Sequence, residues 1–165
     1  MIKYYNIFYF LNKFSKNFIF FICLLFLTIF EKSLSFLPIF RTATPSLISV
    51  IIYIFIKKSS MKPSYLILFL IGFLNDIIFG SNLGNTSIFL LLIKFFSKSL
   101  TFDNINKNDK QDWISFTMIF LSSFCIVFFM NIVLNLSMPD LSPVFYHVGT
   151  TLIIFPVVNL SFDFI

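Results

Sequence analysis

The stretch Gly72-Phe-Leu-Asn-Asp76-Ile-Ile-Phe-Gly80-Ser-Asn-Leu-Gly84-Asn-Thr-Ser87 decides how this chain is read. It sets one carboxylate, Asp76, inside an apolar run. Three of the chain's four glycines, Gly72, Gly80 and Gly84, stand around it. A charge in hydrocarbon costs roughly 2.5–3.5 kcal/mol even on the gentlest insertion scale, so it needs a partner or a purpose. Glycines permit close backbone approach and tight turns. The pattern predicts a helix ending near Phe79, a turn through Gly80-Ser81-Asn82, and a second helix from Leu83.

Outward from this hairpin the chain stays apolar. Of 165 residues, 58% are hydrophobic and 12% charged. Mean hydropathy is +0.95. A soluble domain carries about 25% charged residues. One small core cannot hide this much apolar surface, which leaves the bilayer to cover the rest. The expectation is an all-α, polytopic membrane protein forming a single domain over 1–165. The 27 phenylalanines accompany many Ile, Asn and Lys. They read as a coding bias toward A and T rather than as a functional aromatic surface.

Apolar runs predict six spans, at about 17–30, 36–56, 63–79, 83–96, 113–134 and 144–160. Residues 1–17 read as a basic amphipathic lead-in, and the first span as an uncleaved anchor. Pro38 and Pro45 mark 36–45 as an interfacial or broken segment, with a shorter helix from Pro45 onward. Residues 101–112 read as a polar cytoplasmic loop that solvates Asp103, Asp109 and Asp112. Trp113 reads as an interface anchor, and Lys94 and Lys98 as snorkelling to the inner interface.

With the N-terminus inside, ten lysines fall on the inner side: Lys3, Lys13, Lys16, Lys57, Lys58, Lys62, Lys94, Lys98, Lys107 and Lys110. Only Lys32 and Arg41 fall outside. The imbalance predicts an N-in, C-in topology. It places Asp76 about one turn beneath the outer face. The net charge of +5 is therefore a topology signal and not a nucleic-acid surface.

Catalysis has little to work with. GxSxG, HExxH and P-loop motifs are all missing from the sequence. Asp76 has no acidic companion within a span. The single histidine, His147, reads as a packing residue bonded to Thr150 or Thr151. Cys23 and Cys125 read as buried small hydrophobes. The chain is expected to be no enzyme and to hold neither cofactor nor metal. Two roles stand open for Asp76. It locks the hairpin by accepting from the free amides or hydroxyls of Asn85 or Thr86, or it serves as an ion, proton or partner contact.

The run Gly72-Phe73-Leu74-Asn75-Asp76, then Gly80, then Leu83-Gly84, resembles the signature of the rod shape-determining MreD family. Arg41-Thr-Ala-Thr-Pro45 and Thr150-Thr151-Leu-Ile-Ile-Phe155-Pro156 are similar to that family's flanking motifs. Arg41 and Pro45 stand further apart here than is usual in the family, and Phe155 replaces its tyrosine. The resemblance covers about residues 36–160. It implies a non-enzymatic subunit of the bacterial inner membrane, serving cell elongation and peptidoglycan synthesis. The implied partners are an MreC-like protein, an MreB-like filament, and a RodA-type glycosyltransferase with its penicillin-binding transpeptidase. The implied structural or partner-contact residues are Gly72, Asp76, Gly80, Leu83, Gly84, Arg41, Pro45, Thr151 and Pro156. The alternative is a substrate-binding membrane subunit of an energy-coupling-factor vitamin transporter. Against it, the first span lacks the small-residue docking stripe of such subunits, since Ala43 is the sole alanine.

Overall fold

The computed structural model describes residues 2–38, 40, 44–58, 63–100, 109–135 and 141–163. They form six helices: α1 (Ile2–Leu34), α2 (Leu47–Lys58), α3 (Tyr65–Phe79), α4 (Asn85–Leu100), α5 (Asp109–Asn135) and α6 (Leu141–Asp163). Among the described residues there is no strand, so the all-α expectation is met. Two helical stretches, Gln111–Leu134 and Leu141–Phe162, are long and apolar enough to cross a membrane. Helix α3 is apolar but shorter.

Several boundaries differ from expectation. Helix α1 joins the lead-in and the first apolar run into 33 continuous residues. The expected span 36–56 is not one helix. Its first part turns tightly, with the Ser35, Phe36 and Leu37 amides donating three residues back. Residues 44–46 are non-helical, because Pro45 bars its predecessor from helical geometry. What remains is α2, 12 residues or about 18 Å long. Residues 101–108 of the expected polar loop lie outside the described residues, while 109–112 are the first turn of α5. Asp112, expected in solvent, is buried and paired with Lys57 of α2. The α5 N-terminus favours a carboxylate there, and α2 supplies the countercharge.

The α3–α4 hairpin is the tightest pairing in the fold. Ser64 caps α3, its hydroxyl accepting from the Ile67 amide at 3.2 Å. Gly80 closes the helix in the left-handed conformation at φ 68°, where a side chain would be strained. Between these ends the two backbones touch at Gly72. A Cβ there would lie 2.4 Å from Ser87 Cα. Ser87 in turn donates to the Phe69 carbonyl at 3.0 Å. At the far end Lys94 does not snorkel freely. It is buried, donates to the Pro63 carbonyl and lies 3.4 Å over the Tyr65 ring.

Helix α2 sits in the middle of the bundle. Seven of its residues are buried, from Ile48 to Ile56, as expected for a helix apolar on every face. Tyr53 of α2 meets Phe116 of α5 and Phe155 of α6, with ring centroids 5.2 and 5.7 Å away. Phe116 and Phe155 stack at 4.3 Å. Some of the phenylalanine excess is thus core, while Phe26, Phe36, Phe129 and Phe145 point outward. Cys23 and Cys125, expected buried, are exposed.

Candidate functional site

Asp76 is fully buried near the end of α3, and its carboxylate closes the hairpin. One oxygen, Oδ1, accepts from the Ser81 hydroxyl at 2.8 Å and the Thr86 hydroxyl at 2.5 Å. The other, Oδ2, accepts from the Gly84 amide at 2.8 Å. The Thr86 amide reaches both oxygens, at 3.1 and 3.2 Å. Gly84 and Thr86 stand at the start of α4, where amides lack intrahelical partners. The negative charge also meets the positive end of that helix. The Asn85 amide turns instead to the Asn82 carbonyl, and its side-chain oxygen accepts from Asn131 of α5 at 2.9 Å. Gly84 adopts φ 92°, a conformation that presents its amide to the carboxylate and suits glycine.

A second buried acidic side chain stands at the start of α2. Glu31 near the end of α1 is buried, and its Oε2 accepts from the Ile48 amide at 3.3 Å. The non-helical residues before α2 are held from α6. The Ser46 amide donates to the Thr151 hydroxyl at 3.0 Å. That hydroxyl donates to the His147 carbonyl at 2.7 Å. The His147 ring bonds the Thr44 carbonyl through Nδ1. A carbonyl only accepts, so Nδ1 carries the proton and Nε2 is left as an acceptor. The threonines near His147 thus bond its backbone, not its ring as expected.

Pro156 lies inside α6 and lacks the amide that would bond the Leu152 carbonyl. The Trp113 indole N–H of α5 donates to that carbonyl at 3.0 Å. The expected interface anchor thereby mends the break in the neighbouring helix.

The expected residues therefore fall into separate places. Gly72, Asp76, Gly80 and Gly84 converge in the hairpin. Leu83 is in the same turn but points outward. Pro45 is buried beside Thr151 at the start of α2, whereas Pro156 belongs to the α5–α6 contact. Arg41 lies outside the described residues. Glu31 and Asn75 escaped the sequence reading. Glu31 stands among polar residues at the end of the first apolar run, and Asn75 is one more residue of the glycine motif. The only available signal for Glu31 was an acid shortly before a proline-broken run.

The two carboxylate-capped helix starts lie at one end of the bundle and share a cavity of about 230 Å³. Glu31, Asn75, Asn85, Thr86 and His147 line it, together with phenylalanines from α3, α4 and α5. Asn75 donates weakly to the Thr86 hydroxyl at 3.5 Å. Its carbonyl oxygen is buried and unpartnered. Among the described residues, no three His, Cys, Asp or Glu side chains gather to hold a metal. Compared with protein-family models, curated proteins and solved structures, the chain matches none.

Proposed function

We propose that the chain is a non-enzymatic, multi-pass subunit of the bacterial inner membrane that serves cell elongation through helix–helix contacts with partner proteins. The observation that carries this reading is the use made of Asp76. Both its oxygens are spent on the chain's own amides and hydroxyls within the glycine motif. That is the economy of a structural lock, and it leaves the carboxylate no free face for proton or ion transfer. The motif it locks is the one that resembles the MreD family.

The membrane part of the proposal has its own support. Residues 44–46 are irregular backbone in an apolar chain, and Ile48 follows in the first turn of α2. Inside a bilayer such backbone is tolerated only where protein satisfies it. Here Thr151 takes the Ser46 amide, His147 the Thr44 carbonyl and Glu31 the Ile48 amide. Large apolar side chains are exposed on all the long helices, including Phe26, Phe129, Phe145 and Ile153. Lipid or partner helices would cover them. On this reading the topology is N-in and C-in. The Asp76 end faces out, and Lys57, Lys94 and Asp112 face the cytoplasm.

Depletion in a rod-shaped host is the test. The expected result is rounding of the cells, with an MreC-like protein co-purifying with the tagged chain. Rod-shaped growth after complete depletion would overturn the proposal. Topology is checked with single cysteines in a background free of Cys23 and Cys125. An impermeant thiol reagent applied to intact spheroplasts should label Asn82→Cys but not Lys58→Cys.

A further inference from the structure

We propose that the cavity between the two carboxylate-capped helix starts is a binding site for a small organic ammonium compound. Its wall has a surplus of acceptors. Glu31 brings a carboxyl group of which one oxygen, Oε2, is engaged by the Ile48 amide. His147 spends its ring proton on Thr44, so its second nitrogen offers a lone pair. Asn75 contributes a buried carbonyl oxygen without a donor. A buried acceptor asks for a donor, and the Asn75 oxygen has none, while Glu31 and His147 stand beside it on the cavity wall. An ammonium group supplies several N–H donors and a charge opposite to that of a carboxylate.

Shape and lining narrow the class. At about 230 Å³ the cavity falls below the usual 300–1,000 Å³ of drug-sized sites. Phe79, Phe89 and Phe124 also line it, and aromatic faces attract cations. A compact molecule with an ammonium head and a short apolar body fits both the acceptors and the rings. A shape subunit and an unrelated membrane protein would carry the same cavity, so ligand binding and the cell-shape assay fail separately.

The test uses the full chain in nanodiscs of uncharged lipid, with benzylammonium chloride as the probe and calorimetry as the readout. The expected result is saturable binding of one probe per chain. Glu31→Gln keeps the side chain's shape and its acceptor for Ile48, and should weaken binding roughly tenfold or more. Val127→Phe narrows the cavity from its α5 wall and should abolish binding while leaving the helical circular dichroism unchanged. Benzyl alcohol, which lacks the charge, and sodium chloride, which lacks the body, should bind far more weakly. Three results would overturn the proposal: no saturable binding to the unaltered chain, equal binding of benzyl alcohol, or full affinity in both variants.

Discussion

Removing the charge of Asp76 and removing its polarity should have separable costs. In Asp76→Asn the side chain keeps one oxygen. Set at the Oδ1 position, it still accepts from Ser81 and Thr86, but the new amide group faces the Gly84 N–H, donor against donor. Turned the other way, it keeps Gly84 and loses the Thr86 and Ser81 hydroxyls. The first orientation leaves one donor unpaired and the second leaves two, so the first is favoured, at a cost of about 1–3 kcal/mol. In Asp76→Leu the Gly84 and Thr86 amides are both orphaned at the start of α4. Two such donors cost about 2–6 kcal/mol, and the lost charge at the helix end adds about 0.3–1 kcal/mol more. A typical domain is stable by about 5–15 kcal/mol, so the leucine variant stands near the limit of folding. The assay is denaturant unfolding of the purified chain in detergent, followed by circular dichroism. The expected order of stability is the unaltered chain, then Asp76→Asn, then Asp76→Leu. Equal stability of the two variants, or a leucine variant as stable as the unaltered chain, would refute the hairpin lock.

Gly72→Ala should destabilise by about 1–3 kcal/mol in the same unfolding assay, because its Cβ meets the Ser87 backbone. Gly149→Ala meets nothing and should be neutral or slightly stabilising. Trp113→Phe removes the donor to the Leu152 carbonyl and should cost about 0.5–1.5 kcal/mol. Part of that loss should vanish in a Pro156→Ala background, where the restored amide reclaims the carbonyl. A double-mutant cycle with no coupling would exclude the mending role. Thr151→Val preserves shape but takes away the acceptor for the Ser46 amide, and should cost about 1–3 kcal/mol. Faster hydrogen exchange confined to the start of α2 would locate the loss there.

The sequence made some of this legible and hid the rest for identifiable reasons. Asp76 stood out because its cost in an apolar run is large, and its reach to Thr86 follows from the geometry of a short hairpin. Glu31 did not, because its partner Ile48 lies 17 residues away across an irregular stretch. Only the folded arrangement brings them together. Lys94 reads as an ordinary flanking lysine because the Tyr65 ring and the Pro63 carbonyl come to it from the start of α3 and the residues before it. Asp112 sits in a polar run whose last turn is helical and faces Lys57. The faces of α5 and α6 are hard to read for a further reason. Both sides of each helix are apolar, so periodicity carries no contrast between core and exterior.

The central position of α2 bears on how the chain comes to be made. Its 12 residues are too few to span a hydrocarbon core of about 30 Å. Its neighbours hold it at both ends, by α1 and α6 where it begins and by α5 where it finishes. Two of those neighbours have not yet been synthesised when α2 leaves the ribosome. Helix α2 therefore meets α1 at once but must wait for its contacts with α5 and α6. Until α5 and α6 arrive, its buried polar contacts wait on chain that does not yet exist.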